Sequence, residues 1–383
     1  MRYDAIVLGL GAYGSAALYQ LARRGAKVLG IDRFVPPHDR GSSHGDTRIT
    51  RLANGESAHL TGIVRRSHEL WREIEGETGE DLLTQCGGLV ISGKSRASVH
   101  VADFFANTVA NARASGVRHE LLDAEGIRRR FPQFAVQDGE QGYFEPEAGF
   151  VRPEACIRAQ LALAQKHGAE MRTGERLMTL ETEGQGVRVA TERGSYRSER
   201  AVVSLGSWLP SISPALAPLL AVHRQVLHWF EVDGDREQYA PARFPIFIWE
   251  LPGSESGIYG FPQIWPEAGL KIATEQYNEM TTAEAVPREV RPAEAAALYR
   301  LAAPFLPGLA QRCLRSVACL YTLTPDRQFL IDTLPECPHA TFVSACSGHG
   351  FKHSAAIGES LAQWVLEGRS PLDLLPFRLK RLA

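Results

Sequence analysis

Residues 4–32 read DAIVLGLGAYGSAALYQLARRGAKVLGID. An apolar strand at 4–8 runs into the turn Gly9-Leu10-Gly11-Ala12-Tyr13-Gly14, which fits GxGxxG. A helix follows, with Ala17, Leu18, Leu21 and Ala22 on one face and Gly25 as its stop; a second strand at 27–31 ends at Asp32. In such a β-α-β unit the first glycine permits a tight turn. The second lets backbone approach a pyrophosphate, and the third lets helix pack on strand. The amides and dipole of the helix N-terminus meet the phosphate charge. Asp32 stands where a carboxylate can hold ribose hydroxyls. The fingerprint alone does not separate FAD from NAD. Its place at the extreme N-terminus, with no second nucleotide-binding β-α-β motif, favours FAD.

Working outward, residues 33–56 carry prolines, glycines, histidines and arginines without periodicity, and a loop that long in a compact domain is usually functional or disordered. Apolar residues at Leu60, Ile63, Val64, Leu70, Trp71 and Ile74 predict an amphipathic helix ending near Gly76 or Gly79. A strand at 88–92, a helix around 97–114 and a short helix capped by Asp123 and stopped by Pro132 follow. Pro153 opens a helix over 153–167. VRVAT and SYRSERAVVSL flank a turn at ERG, and residues 216–275 alternate in strand fashion, as an antiparallel sheet would. Helices at 292–303 and 353–367 and a buried strand at 341–345 complete the pattern.

The 383 residues suit two domains at about 100–200 residues each. With 44% hydrophobic and 22% charged residues the composition is that of a soluble globular protein. A net charge of -2 gives no basic excess for nucleic acid or an anionic membrane. Cys86, Cys156, Cys313, Cys319, Cys337 and Cys346 form no CxxC pair, so neither a zinc site nor a redox dithiol is expected. No metal site is expected. Nothing resembles a signal peptide, and no apolar run approaches the ~20 residues of a membrane span, so the expected location is the cytoplasm.

Two stretches carry chemistry. In Gly41-Ser42-Ser43-His44-Gly45-Asp46-Thr47-Arg48-Ile49-Thr50-Arg51, two arginines three residues apart could lean on one carboxylate or phosphate, or could be a solvated pair. In Ser347-Gly348-His349-Gly350-Phe351-Lys352, the glycines could admit a ligand ring and Lys352 could anchor an anion, or the segment could be a plain strand-to-helix turn.

With VLGLGAYGSAA, PPHDRGSSHGDTRITR, YGFP at 259–262, LKI at 270–272, ACLYTLTPD at 318–326 and SGHGFKHS at 347–354, the chain resembles the monomeric sarcosine oxidase and N-methyltryptophan oxidase family over nearly its whole length. LPFRL at 375–379 resembles the N-methyltryptophan branch. The resemblance implies FAD bonded through its 8α carbon to Cys319, which on its own pattern reads as a core cysteine. It implies that Arg51 and Lys352 clamp a substrate carboxylate, that Arg48 and His44 lie beside the flavin, that Tyr259 is in the pocket, and that Lys271 activates oxygen. Without the family, Lys271 reads as a strand lysine facing water. FAD contacts are expected at Gly9, Gly11, Ala12, Tyr13, Gly14, Asp32, Arg33, Ser42, Thr47, Gly206, Gly348, Gly350, Phe351 and Lys352. Two positions depart from the family: Glu275 replaces a pocket histidine, and Ile248 replaces the methionine of sarcosine oxidases. A carboxylate in place of an imidazole changes the pocket's charge and hydrogen bonding, which argues against sarcosine itself as the natural substrate.

The expected fold is mixed α/β and α+β, a Rossmann-type FAD domain (1–80, 145–215, 315–383) interleaved with an antiparallel-sheet substrate domain (81–144, 216–314). The expected activity is oxidative demethylation of an N-methyl amino acid by O2, in a monomer acting on a small amine or amino acid. Alternatives are an FAD oxidase or dehydrogenase of another amine, an NAD-dependent dehydrogenase, an RNA-modifying flavin oxidase, and a non-catalytic flavin-binding module. The last requires Lys271, Arg51 and Lys352 to be surface residues.

Overall fold

The computed structural model describes residues 2–92, 101–254, 257–265 and 268–382. The opening unit forms as its sequence dictates: strand Arg2–Leu8, helix Ala12–Arg23 and strand Val28–Asp32. These strands are parallel, flanked by Glu170–Thr173 on one side and by Ser195–Val203 and then Cys337–Ser344 on the other, all parallel. Parallel strands covered on both faces are continuous apolar runs, and Ala5 to Leu8 are all at most 1% exposed. An antiparallel meander, Leu177–Glu183 and Gly186–Thr191, pairs with the first half of Ser195–Val203.

The 60s helix runs Leu60–Thr78 and ends on Gly79 in the left-handed conformation, which only glycine adopts without strain. Asp123 caps the short helix Ala124–Arg130 by accepting from the Gly126 amide. The helix expected over 97–114 is present as Phe104–Ala114, and its first four expected residues lie outside those described. The loop 33–56 contains a three-residue strand, Arg48–Thr50, paired with Gly149–Val151.

Among the described residues the second sheet is antiparallel except at one pair: Ile246–Glu250 runs parallel to Gly88–Ser92. That pairing joins the 88–145 segment to the 221–323 segment in one sheet. The strand Leu309–Leu323 runs through the boundary placed at residue 315 and pairs with Ala221–Val232 almost to its end, because the alternation of that strand continues past it.

The register of this sheet makes the site. Ile248 lies beside Tyr259, Phe261 beside Lys271, Lys271 beside Trp229 and Cys319 beside Gln225. Lateral neighbours and residues two apart share a face. Ile248, Tyr259, Lys271, Cys319 and Tyr321 therefore point the same way. The opposite parity, Phe230, Phe247, Trp249, Leu270 and Ile272, packs into a core with Phe134, Phe244 and Leu298.

Candidate active site

The first glycine of the turn, Gly9, has φ +85°, and a Cβ there would sit 2.3 Å from the Ser204 carbonyl oxygen. A Cβ on Gly14 would lie 1.7 Å from the Gly9 oxygen, so the helix can approach its strand only without one. A Cβ on Gly11 would meet only Ser43 Oγ at 3.8 Å. The middle glycine thus faces open space while the outer two are structural. Gly14→Ala should accordingly destabilise the protein by about 1–3 kcal/mol, the usual range for overpacking. Gly11→Ala should leave the thermal midpoint unchanged but lower the flavin-to-protein ratio after purification. Equal losses of stability in both variants would contradict this division.

Two cavities meet along Ala12, Tyr13, Ser42, Ser43, Ala345 and Cys346. Their empty volumes are about 1250 and 1160 Å³, part of it open to solvent. The first, at the carboxyl ends of the parallel strands, is lined by Gly9, Gly11, Asp32, Arg33 and Gly206. That crevice is where open α/β sheets bind nucleotides. Asp32 accepts from the Leu10 amide (2.7 Å) and the Phe34 amide (2.8 Å), which fixes the carboxylate across the turn. Arg33 is ion-paired with Glu284, which also accepts from Trp208 Nε1 at 3.1 Å.

The second cavity lies under the shared face of the second sheet. Arg48, Arg51, Ile248, Tyr259, Lys271, Glu275, Gly348, Gly350, Phe351 and Lys352 all line it. Gly14, His44, Thr47 and Cys319 line neither cavity. The Tyr13 hydroxyl is shared between the carbonyl oxygens of Ala345 (2.5 Å) and Gly350 (2.8 Å), tying the glycine turn to the SGHGFK segment.

Lys271 is only 2% exposed. Its ammonium donates to the carbonyls of Gly45 (2.6 Å) and Thr47 (2.7 Å) and to Thr47 Oγ1 (3.1 Å). Burial, with Arg48 adding to it, holds its pKa well below that of an ordinary lysine. Lys352, also buried, donates to the His349 carbonyl at 2.7 Å. Burial draws it down to about 7; Glu56 and Glu275 oppose the shift and Arg51 assists it. Arg51 pairs with Glu56 at 2.7 Å, both side chains 3% exposed. The surface placement that a non-catalytic module would require of these three cations is therefore not what the protein has.

Cys319 is buried, with Arg48 Nη2 at 3.5 Å from its sulfur. Burial pushes the thiol up, but the charge and hydrogen bond of His44 and the charge of Arg48 outweigh it and lower the pKa to about 6. Glu275 accepts from the Tyr277 hydroxyl at 2.6 Å.

The sequence reading missed Glu56 and Tyr321. Glu56 lies five residues from Arg51 in irregular loop, where no periodicity marks a partner. Tyr321, whose hydroxyl is 3.4 Å from that of Tyr259, did leave a signal. It stands two residues after Cys319 on one strand and so shares its face.

These residues fit FAD. The open side of Gly11 leaves room for a pyrophosphate, and Asp32 ends the second strand where a ribose would lie. His44 Nε2 is buried with no hydrogen-bond partner among the described residues, an atom a bound ring could satisfy.

Comparison with known proteins agrees. Monomeric sarcosine oxidase of Streptomyces avermitilis is 37% identical, the match covering 100% of this chain and 98% of that protein. N-methyl-L-tryptophan oxidase of Salmonella dublin is 36% identical, with 100% of both chains covered. Among solved structures, NikD, described as an unusual amino acid oxidase essential for nikkomycin biosynthesis, superposes with a TM-score of 0.84 at 24% identity over 98% of this chain and 97% of that one. L-proline dehydrogenase from P. horikoshii gives 0.81 at 20% identity over 100% and 98%. These two likenesses speak to fold. The FAD dependent oxidoreductase family matches residues 4–364, and with full-length relatives above a third identical the chain belongs to that family.

Proposed function

We propose that the protein is an FAD-dependent oxidase of secondary amines that demethylates an N-methyl amino acid with O2. The products are formaldehyde, the demethylated amino acid and hydrogen peroxide. The observation that carries this reading is one cavity lined by three buried cations, Arg51, Lys271 and Lys352, in a chain whose full-length relatives are a sarcosine oxidase and an N-methyl-L-tryptophan oxidase.

FAD supplies the two-electron acceptor. Arg51 and Lys352 hold the substrate carboxylate; Arg51 brings its Nε, which is buried without a partner among the described residues. The same positive charges favour the neutral, reactive form of the amine. Phe104, Ile248 and Phe261 give the cavity an apolar wall. Lys271 presents a fixed positive charge where oxygen gains negative charge. Cys319, whose thiolate His44 and Arg48 favour, would hold FAD through a bond from Sγ to the flavin 8α carbon. The segments 1–80, 145–215 and 315–383, which hold the parallel sheet and the strand end that bears Cys319, carry FAD, and 81–144 and 216–314 supply the rest of the substrate pocket. Six free cysteines suit a reducing cytoplasm, and the name of the sarcosine oxidase relative supports a monomer. Among the described residues no helix is long and apolar enough to cross a membrane.

The first test is acid precipitation followed by a peroxide assay over a panel of secondary amino acids. A yellow pellet is expected from the native protein and a white pellet under a yellow supernatant from Cys319→Ala. Flavin released from the native protein would remove the covalent bond and leave the oxidase reading. Absence of peroxide with every secondary amine, flavin being present, would remove the oxidase reading.

A further inference from the structure

The turn that carries His44 and Arg48 is held in an unfavourable backbone. Gly45 and Asp46 have consecutive positive φ angles of 97° and 68°. A non-glycine residue in that region persists only where its surroundings hold it. A Cβ at Gly45 would come within 2.7 Å of Leu227 Cδ1, so the turn is also pressed against the second sheet. Two side chains brace it from different elements. Lys271 takes its carbonyls, at Gly45 and Thr47. Glu154, in the first turn of the helix Pro153–Lys166, takes its amides: one carboxylate oxygen accepts from Gly45 N at 2.6 Å and Asp46 N at 3.2 Å. Asp46 is further ion-paired with Arg315. His44 and Arg48 flank the braced residues, and Arg48 reaches both the Ser42 carbonyl (2.8 Å) and the Cys319 sulfur (3.5 Å).

We infer that Glu154 is a positioning residue for Cys319. Its carboxylate ties the Gly45–Asp46 amides to the helix Pro153–Lys166, and so keeps His44 and Arg48 against the sulfur. The inference rests on the reading that Cys319 bonds FAD, since that bond needs a thiolate. The groups facing the sulfur from all sides are His44, Arg48, Lys271, Arg288, Tyr259 and Cys346. Of these, the turn braced by Glu154 carries the two that favour the thiolate most.

The sign of the effect separates positioning from bulk charge. Deleting a nearby carboxylate would, by Coulomb's law alone, make a thiolate easier to form. Loss of positioning makes it harder. The test is a pH titration of thiolate ultraviolet absorbance on the flavin-free full chain, with the Cys319→Ala spectrum subtracted. The wild-type midpoint is expected near 6. In Glu154→Ala it should move up by about one unit, a roughly tenfold loss of thiolate below the midpoint. Glu154→Gln, which keeps an acceptor oxygen in place, should restore most of it. An unchanged or lowered midpoint in Glu154→Ala overturns the inference. If that variant unfolds, shown by alkylation of the fully buried Cys156, Glu154→Asp replaces it. The aspartate keeps the charge and loses the reach, so a raised midpoint supports the proposal and an unchanged one overturns it. Flavin attachment is scored in parallel by acid precipitation. Should wild type release its flavin while the midpoints move as stated, the attachment reading fails and the positioning role stands.

Discussion

Lys271→Met is expected to slow reoxidation of the reduced protein by O2 by about 10²–10³-fold, the range seen when one preorganised donor to a developing anion is removed. The argument is one of placement. The first electron delivered to O2 makes superoxide, and a buried charge stabilises it far more than one at the surface. Lys271 is such a charge, 2% exposed on the face that bears Tyr259 and Cys319. Reduction of the protein by substrate under anaerobic conditions should change far less, because Arg51 and Lys352 are left intact. Stopped-flow measurement of the two half-reactions reads the split directly. Equal loss in both would make Lys271 a structural brace of the 45–47 turn and nothing more. A pH dependence follows with a definite sign. The working form is the protonated one and its pKa is lowered, so oxygen reactivity is full at low pH and falls as pH rises, well before 10.5 is reached.

The second large effect belongs to Arg51. Truncating one member of a buried charge pair costs about 3–5 kcal/mol, because its partner stays behind in a dry site; here Glu56 would lose its arginine while 3% exposed. Arg51→Met should therefore lower stability by that order and, separately, lower kcat/KM by about 10²–10³-fold through loss of the carboxylate donor. Adding Glu56→Gln distinguishes the two. The double variant should recover much of the stability and none of the kcat/KM. A double variant that regained catalysis would show that Arg51 acts on the fold and not on the substrate. Lys352 adds a pH signature. Its pKa is drawn to about 7, so KM should climb as pH rises through that value and the ammonium is lost.

What the sequence made legible was local. The β-α-β unit could be read because its turn, helix face and terminal aspartate lie within residues 4–32 and each follows from spacing alone. Asp123 as a cap, and a glycine stop at 76 or 79 of which the structure uses Gly79, were legible for the same reason. Lys271 and Cys319 were not. On its own strand, LKI alternates as a half-exposed segment does, and a lysine between apolar residues points to water. That lysine is buried because the loop 41–51 and the SGHGFK turn cover that face of the sheet, and no pattern within residues 270–273 encodes a layer supplied from elsewhere. The pairing of Trp229 with Lys271 and of Gln225 with Cys319 decides which side chains meet, and register between strands distant in sequence leaves no periodic trace. The parallel pair Ile246–Glu250 with Gly88–Ser92 escaped notice likewise, since alternation does not reveal a neighbour's direction.

The Tyr13 hydroxyl joins residues 332 positions apart in the chain. Its partners both follow the last strand of the parallel sheet, Cys337–Ser344, which docks beside Ser195–Val203. During synthesis, at about 5–20 residues per second, the N-terminal nucleotide motif leaves the ribosome first and waits many seconds for that strand. Its glycine turn is complete as covalent chain long before the wall that faces it exists. The cofactor cleft is therefore a late product of a high-contact-order fold. FAD capture becomes an event of the finished chain, and truncation between residues 32 and 345 yields a polypeptide with its phosphate-binding motif intact and no complete cleft to hold the coenzyme.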